Sequence, residues 1–217
     1  EMKYKSLTMS SINTLNKIKF YGIVAKKKYG QNFLFDENIL SKIVQKSKIT
    51  EKINILEIGP GPGGLTKEIL KANVNQVYVV EKDKDFLPIL NDIKNIFPNK
   101  LNIIYEDALN FDIRMLNNFP FKIISNLPYN ISTVLLVKWL TSDICNTTCL
   151  SLTLMFQKEV ADRIVAKAGS SKRSRISLIS ELYTHPKLVL NVSSGSFIPK
   201  PKVDSALIYF EILKKPK

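Results

Sequence analysis

The chain has 217 residues, 45% hydrophobic and 24% charged, with a formal net charge of +13 and a pI near 9.6. A chain of this size and mix can bury a sizeable core, and none of its apolar runs approaches the ~20 residues that a membrane helix needs, so no membrane is expected as a partner. The excess of lysine suits a polyanion such as RNA or DNA, but it equally suits a chain in which Lys, Asn and Ile are abundant throughout.

Residues 1–28 are basic and carry no acidic residue after Glu1. They lack the apolar core of a secretory signal, and they read as a disordered basic arm or a transit remnant, outside a core domain at 29–217. Tyr29-Gly30-Gln31-Asn32-Phe33-Leu34 follows, and Asp36 has the character of an N-cap for a helix with Ile39, Leu40, Ile43 and Val44 on one face. Ile53–Ile58 is then an apolar strand interrupted by Glu57, ending in Gly59-Pro60-Gly61-Pro62-Gly63-Gly64 before a helix that holds Leu65, Ile69 and Leu70. Further strands are expected at Gln76–Val80 (closed by Glu81), Leu101–Tyr105, Phe121–Ser125, Leu150–Phe156 and Ala206–Ile212. Helices are expected around Phe86–Ile93, Ile131–Leu140 and Gln157–Lys167. This alternation implies an α/β layer with a largely parallel sheet, whose ligands sit beyond the carboxyl ends of the strands.

Cys145 and Cys149 stand four apart with no histidine nearby, and the one histidine, His185, lies just before Pro186. A zinc site takes about four ligands, so no metal is expected, the thiols read as reduced, and His185 as structural.

The strand-end rule gathers Gly59 and its neighbours, Glu81, Asp107 and Asn126 into one candidate site. Gly59, Gly61 and Gly64 satisfy G-x-G-x-x-G, the pattern of a nicotinamide dinucleotide loop, and Glu81 follows Gly59 by 22 residues, suitable for a ribose diol. Gly59-x-Gly61-x-Gly63 fits an S-adenosylmethionine loop as well. The little chain left after residue 160 for a second nucleotide-binding half, and the acidic groups that suit a cationic sulfonium, favour the methyl donor. Ser125-Asn126-Leu127-Pro128-Tyr129 after its strand is either a proline turn with an inward Tyr or a clamp for a planar amine. In the clamp, Asn126 offers an amide oxygen and Tyr129 a flat face.

Taken together, four ordered segments resemble the KsgA-type ribosomal RNA adenine N6-dimethyltransferases from about Tyr29 to Ile212. They are Leu56-Glu57-Ile58-Gly59-Pro60-Gly61, Asn126-Leu127-Pro128-Tyr129-Asn130-Ile131-Ser132, Phe156-Gln157-Lys158-Glu159-Val160-Ala161 and Phe197-Ile198-Pro199-Lys200-Pro201-Lys202-Val203-Asp204-Ser205. The resemblance implies a Rossmann-like class I methyltransferase with a mostly parallel seven-stranded sheet and helices on both faces. It also implies S-adenosylmethionine as donor, held by Asn32, Leu34, Gly59, Gly61, Glu81, Asp107 and Asn126. The target adenine would lie between Tyr129 and Phe197, its N6 facing Asn126 and the Leu127 carbonyl, with Pro128 shaping the turn.

The implied partner is small-subunit ribosomal RNA or its precursor subunit, bound by a monomer. An organelle is slightly favoured over a bacterial cytoplasm by the basic start. Relatives generally continue into a helical RNA-binding domain, which is expected to be missing here. Lys172-Arg173-Ser174-Arg175 is more basic than its counterpart in relatives and reads as a phosphate contact or a solvated loop. Competing readings are a same-fold RNA- or DNA-binding factor in ribosome assembly or organelle transcription, and a large-subunit methyltransferase of the erythromycin-resistance type.

Overall fold

The computed structural model describes residues 14–26, 29–50, 52–116, 119–141 and 148–216. Residues 1–13, Lys27, Lys28 and Cys145, on which the expectations for a basic arm and a thiol pair partly rest, lie outside the described residues. In chain order the elements are α1 (Thr14–Phe20), β1 (Phe33–Leu34), α2 (Glu37–Lys46), β2 (Asn54–Ile58), α3 (Gly64–Lys71), β3 (Val77–Glu81), α4 (Leu87–Ile96) and β4 (Leu101–Tyr105). They continue with β5 (Phe121–Ser125), α5 (Tyr129–Thr141), β6 (Cys149–Gln157), α6 (Lys158–Ile164), α7 (Arg175–Tyr183), β7 (Thr184–Val192), β8 (Phe197–Ile198) and β9 (Ser205–Ile212).

Local chemistry accounts for the main boundaries. The Asp36 carboxylate accepts from Asn38 N at 3.0 Å and Ile39 N at 3.2 Å, giving partners to amides that α2 itself leaves unpaired. β2 and β5 are buried along their whole length, as strands covered on both faces of a parallel sheet must be, which is why their sequences run apolar rather than alternating. Lys122 is the exception in β5. It is 7% exposed and donates through Nζ to the carbonyls of Ser47 and Lys48, past the end of α2, where a cation suits the helix terminus.

The main sheet has seven strands in the order β4-β3-β2-β5-β6-β9-β7. The first five are mutually parallel, and β9 runs antiparallel to both β6 and β7. One core contains Leu56, Trp139 and Phe156, and a second contains Ile55, Ile69 and Ile93. A separate antiparallel pair joins β1 to β8, with Phe33 opposite Ile198 and Leu34 opposite Phe197.

β7 and α7 are among the elements that were not foreseen. β7 carries Pro186, which argues against a central strand; it lies at the sheet edge, where a missing N–H is tolerated. α7 begins where a basic loop was expected, and Ser177 Oγ accepts from Ser174 N at 3.0 Å and donates to Arg163 O at 2.5 Å. Part of the stretch read as a basic arm is described. Ile18, Tyr21, Ile23 and Ala25 pack against the second core, and Tyr21 Oη donates to Asp92 at 3.0 Å, so residues 14–26 are docked on the domain.

Candidate active site

Strand order makes a crevice. The sheet runs outward from β2 through β3 and β4 on one side, and through β5 and β6 on the other, so the chain reverses direction of build at the β2–β5 pair. The β2–β5 ladder spans Asn54↔Phe121 to Leu56↔Ile123; beyond it, Ile58 N donates to Ser125 Oγ at 2.8 Å. The Ser125 hydroxyl thus bridges strands whose backbones no longer pair, just before Gly59 and Asn126. Above this point lies a cleft open to solvent.

The cleft brings together all the predicted site residues except Phe197: Asn32 and Leu34 from one segment, Gly59 and Gly61 from the glycine loop, Glu81 and Asp107 after β3 and β4, and Asn126 through Tyr129 after β5. Gly59 has φ +65° and Gly61 has φ +53°, a region where side chains are strained, and a Cβ on Gly61 would press to 3.4 Å on the Phe33 ring. Glycine therefore serves two needs here, the turn itself and the close approach of residues 33–34.

Glu81 is 6% exposed and anchored at both oxygens: Oε2 accepts from Gly61 N at 3.1 Å and Oε1 from Asp83 N at 2.8 Å. Burial pushes its carboxyl above the ordinary value, against these backbone hydrogen bonds. Asp107 behaves oppositely. The Leu109 N–H, 3.0 Å from Oδ1, and the Lys82 ammonium, 3.3 Å from Oδ2, hold its carboxyl below the usual range despite partial burial. Glu57, which the sequence reading gave no site role, also lines the cleft. It is 2% exposed, accepts from Thr66 Oγ1 at 2.6 Å, and is pushed by burial up to about 8. A lone acid inside an apolar strand, directly before a glycine loop, was the available signal.

On the other side, Asn126 Nδ2 donates to Asn32 O at 3.2 Å. A carbonyl can only accept, so this bond fixes which end of the amide is nitrogen and leaves Oδ1 as the acceptor end. Leu127 is buried, and Pro128 O receives Ile131 N and Ser132 N at 3.1 Å each, so the proline turn leads straight into α5. Tyr129 lines the cleft while its hydroxyl lies 2.5 Å from Ser205 Oγ; burial raises its phenol, which stays neutral.

Phe197 departs from expectation. It is 2% exposed, sits opposite Leu34 in the β1–β8 ladder, and packs in the second core instead of lining the cleft. Its ring packs within that core in this structure. The basic loop is also largely spoken for: Lys172 pairs with Asp162 at 2.9 Å, and Arg173 pairs with Glu181 at 2.7 Å and donates to Ala166 O at 3.1 Å. Cys149 is buried with its thiol pushed up to about 12, far from thiolate character.

A family profile described as ribosomal RNA adenine dimethylase matches residues 23–217. The chain belongs to this family. The match begins within the stretch that composition alone set aside, in keeping with the docked residues 14–26. Curated relatives called ribosomal RNA small subunit methyltransferase A, from Jannaschia sp. and Cereibacter sphaeroides, are 42% and 43% identical over 200 residues. Those alignments take in 92% of this chain, and 69% and 72% of the relatives.

Among solved structures, a dimethyladenosine transferase from Plasmodium falciparum has a TM-score of 0.75 at 30% identity, over 84% of this chain and 64% of that one. The 23S rRNA methyltransferase ErmE has 0.73 at 27% identity, over 85% and 71%. A class I S-adenosylmethionine-dependent methyltransferase from Listeria monocytogenes superposes at 0.66 over 99% of this chain and 74% of that one. At 14% identity it speaks for the fold alone. The fold is that of class I methyltransferases, and the family implies use of S-adenosylmethionine. The curated relatives named above are bacterial, so the lean toward an organelle finds no support.

Proposed function

We propose that the chain dimethylates N6 of adenosines in small-subunit ribosomal RNA, with S-adenosylmethionine as donor. The cleft fits that donor. Two glycines leave backbone bare above β2, and the acids around it suit a molecule with a positive charge and a ribose diol. Glu81 keeps lone pairs for the ribose hydroxyls beyond its backbone bonds, and Asp107 is an ionised acceptor for an adenine amine. Asn32 and Leu34 cover the donor from the opposite wall.

The donor supplies a methyl group on a cationic sulfur. The target N6 lone pair is delocalised into its ring, so the chain's contribution is geometric. Asn126 Oδ1 and the Leu127 carbonyl accept the two N–H bonds, turn the nitrogen toward a pyramidal shape and direct its lone pair along the displacement line. With a donor bound, the bond to sulfur would break as the N–C bond forms and the amine's proton would pass to solvent water, so Asn126 orients and need not act as a base. Tyr129 stacks on an unpaired base held outside the helix.

The bond from Asn126 Nδ2 to Asn32 O is the observation that carries this reading, because it presents an oxygen where an amine must be met. Curated relatives of about 42% identity with small-subunit names favour that substrate over the large-subunit one in the name of ErmE, at 27%. Small subunits lacking the modification, incubated with the protein and labelled donor, should yield N6,N6-dimethyladenosine after digestion. Asn126→Ala should lower transfer roughly 100-fold or more, by the usual effect of removing one oriented polar group from a reacting centre. A wild-type protein that binds the donor and labels no adenosine sinks the proposal.

A further inference from the structure

Residues 29–34 line the cleft and are fastened at three places. β1 pairs with β8; the Asn32 carbonyl takes Asn126 Nδ2; and Gln31 accepts from Lys26 N at 2.7 Å through Oε1 while donating to Asp83 at 2.9 Å through Nε2. Asp83 is the least expected of these anchors. It is 4% exposed, yet its carboxylate accepts from Lys26 Nζ at 2.6 Å, from Gln31 Nε2, and from Asp85 N at 3.3 Å. Burial works to raise its carboxyl, but the Lys26 and Gln31 hydrogen bonds outweigh it and hold the group below the usual range. Meanwhile its own N–H is fixed to Glu81 Oε1. One residue therefore ties the covering segment to the acid that closes β3, and that segment's next residue, Asn32, holds Asn126.

We propose that Asp83 is a positioning residue that, through Lys26 and Gln31, latches residues 29–34 over the cleft, setting how long the methyl donor stays bound and how Asn126 is oriented. The inference rests on the donor reading above. It is distinct from donor contact: Asp83 does not line the cleft and acts through Gln31 and Lys26. Lys26 also contacts Asp85 at 2.6 Å, so the latch has an exposed side as well as a buried one.

Asp83→Asn keeps the volume and one acceptor but removes the charge; Lys26→Ala removes the partner. S-adenosylmethionine affinity by calorimetry, its dissociation by stopped flow and single-turnover transfer at saturating donor should be measured for wild type, both variants and the double variant. Asp83→Asn should raise the donor Kd about tenfold, the usual scale for a charge-assisted hydrogen bond, mainly through faster dissociation, and lower transfer at saturation. Lys26→Ala should act in the same direction and less strongly, and the double variant should be no worse than Asp83→Asn.

Donor should slow trypsin cleavage after Lys26 in the wild type and not in Asp83→Asn, a signature that general destabilisation with an intact latch does not give. Donor Kd values within twofold of wild type, or effects that multiply in the double variant, overturn the proposal. Should Asp83→Asn fail to fold, Lys26→Ala alone decides, because its side chain is one-third exposed. A wild-type protein that binds no donor overturns the methyltransferase reading together with the latch; normal binding in unaffected variants overturns the latch alone.

Discussion

Replacing Glu57 with glutamine isolates one buried acid. Glu57 is 2% exposed with its carboxyl pushed from 4.5 up to about 8, by burial first, with the neighbouring Glu81 charge adding and the Thr66 hydroxyl opposing. Between those two values the folded chain holds a proton that the unfolded chain has released. Unfolding then loses protons, so stability falls as pH rises through the window and levels off above about 8. At about 1.4 kcal/mol per pH unit, the full loss is on the order of 5 kcal/mol, an upper figure for a group that can relax toward solvent. Glutamine retains an oxygen for the 2.6 Å bond from Thr66 and cannot ionise.

The difference between Glu57→Gln and wild type should therefore be small at pH 5 and grow by several kcal/mol in favour of the variant by pH 8.5. Urea unfolding of both proteins at half-unit steps of pH measures it. Curves that stay parallel from pH 5 to 8.5 would refute the assignment of a buried, protonated carboxyl. A second readout follows from the proposed donor. A cation entering the cleft favours the ionised form, so binding at pH 7 should release protons in wild type and fewer in the variant, as the buffer dependence of calorimetric heat will report.

The hydroxyl pair of Tyr129 and Ser205 makes a prediction for the target side. Ser205 is wholly buried, paired with Gln157 on one side and Val192 on the other, so it is a fixed post for the Tyr129 ring. Ser205→Ala and Tyr129→Phe should each raise the KM for RNA about two- to tenfold with donor affinity unchanged, and combining them should add nothing. Multiplying effects would mean the two side chains act separately. At the glycine loop, Gly63 has φ +76°, and a Cβ there would lie 2.3 Å from Cδ1 of the buried Ile93. Gly63→Ala should cost about 2–4 kcal/mol, from left-handed strain and overpacking, and lower Tm by roughly 5–10 °C. A melting point within about 2 °C of wild type would contradict that packing.

Much of the domain was legible because parallel strands buried on both faces advertise themselves as short apolar runs between helical patterns. Ile53–Ile58, Phe121–Ser125 and Leu150–Phe156 came within a residue or so of β2, β5 and β6. β7 was illegible for the complementary reason: as an edge strand with Pro186 and Lys187, it has only partial burial to imprint on its sequence. In the cleft, residues marked by unusual local chemistry could be read, namely glycines after a strand, acids at strand ends and Asn-Leu-Pro-Tyr. Residues whose importance comes from distant partners could not. Asp83 needs Lys26, 57 positions away, and Ser205 needs Tyr129, 76 away. The place of Phe197 was illegible for the same reason, since its pairing with Leu34 is written nowhere near it.

The bond between Asn126 and Asn32 joins the two halves of the chemistry. An asparagine amide can turn over about its last side-chain bond, and within β5 and the following turn nothing selects the oxygen-forward orientation. The choice is made by a carbonyl on residue 32, which belongs to the segment covering the donor side. An amine therefore meets an oriented acceptor only while that segment is in place, and Asp83 and the β1–β8 ladder are what keep it there. Such an arrangement makes the target's geometry depend on the donor wall being closed.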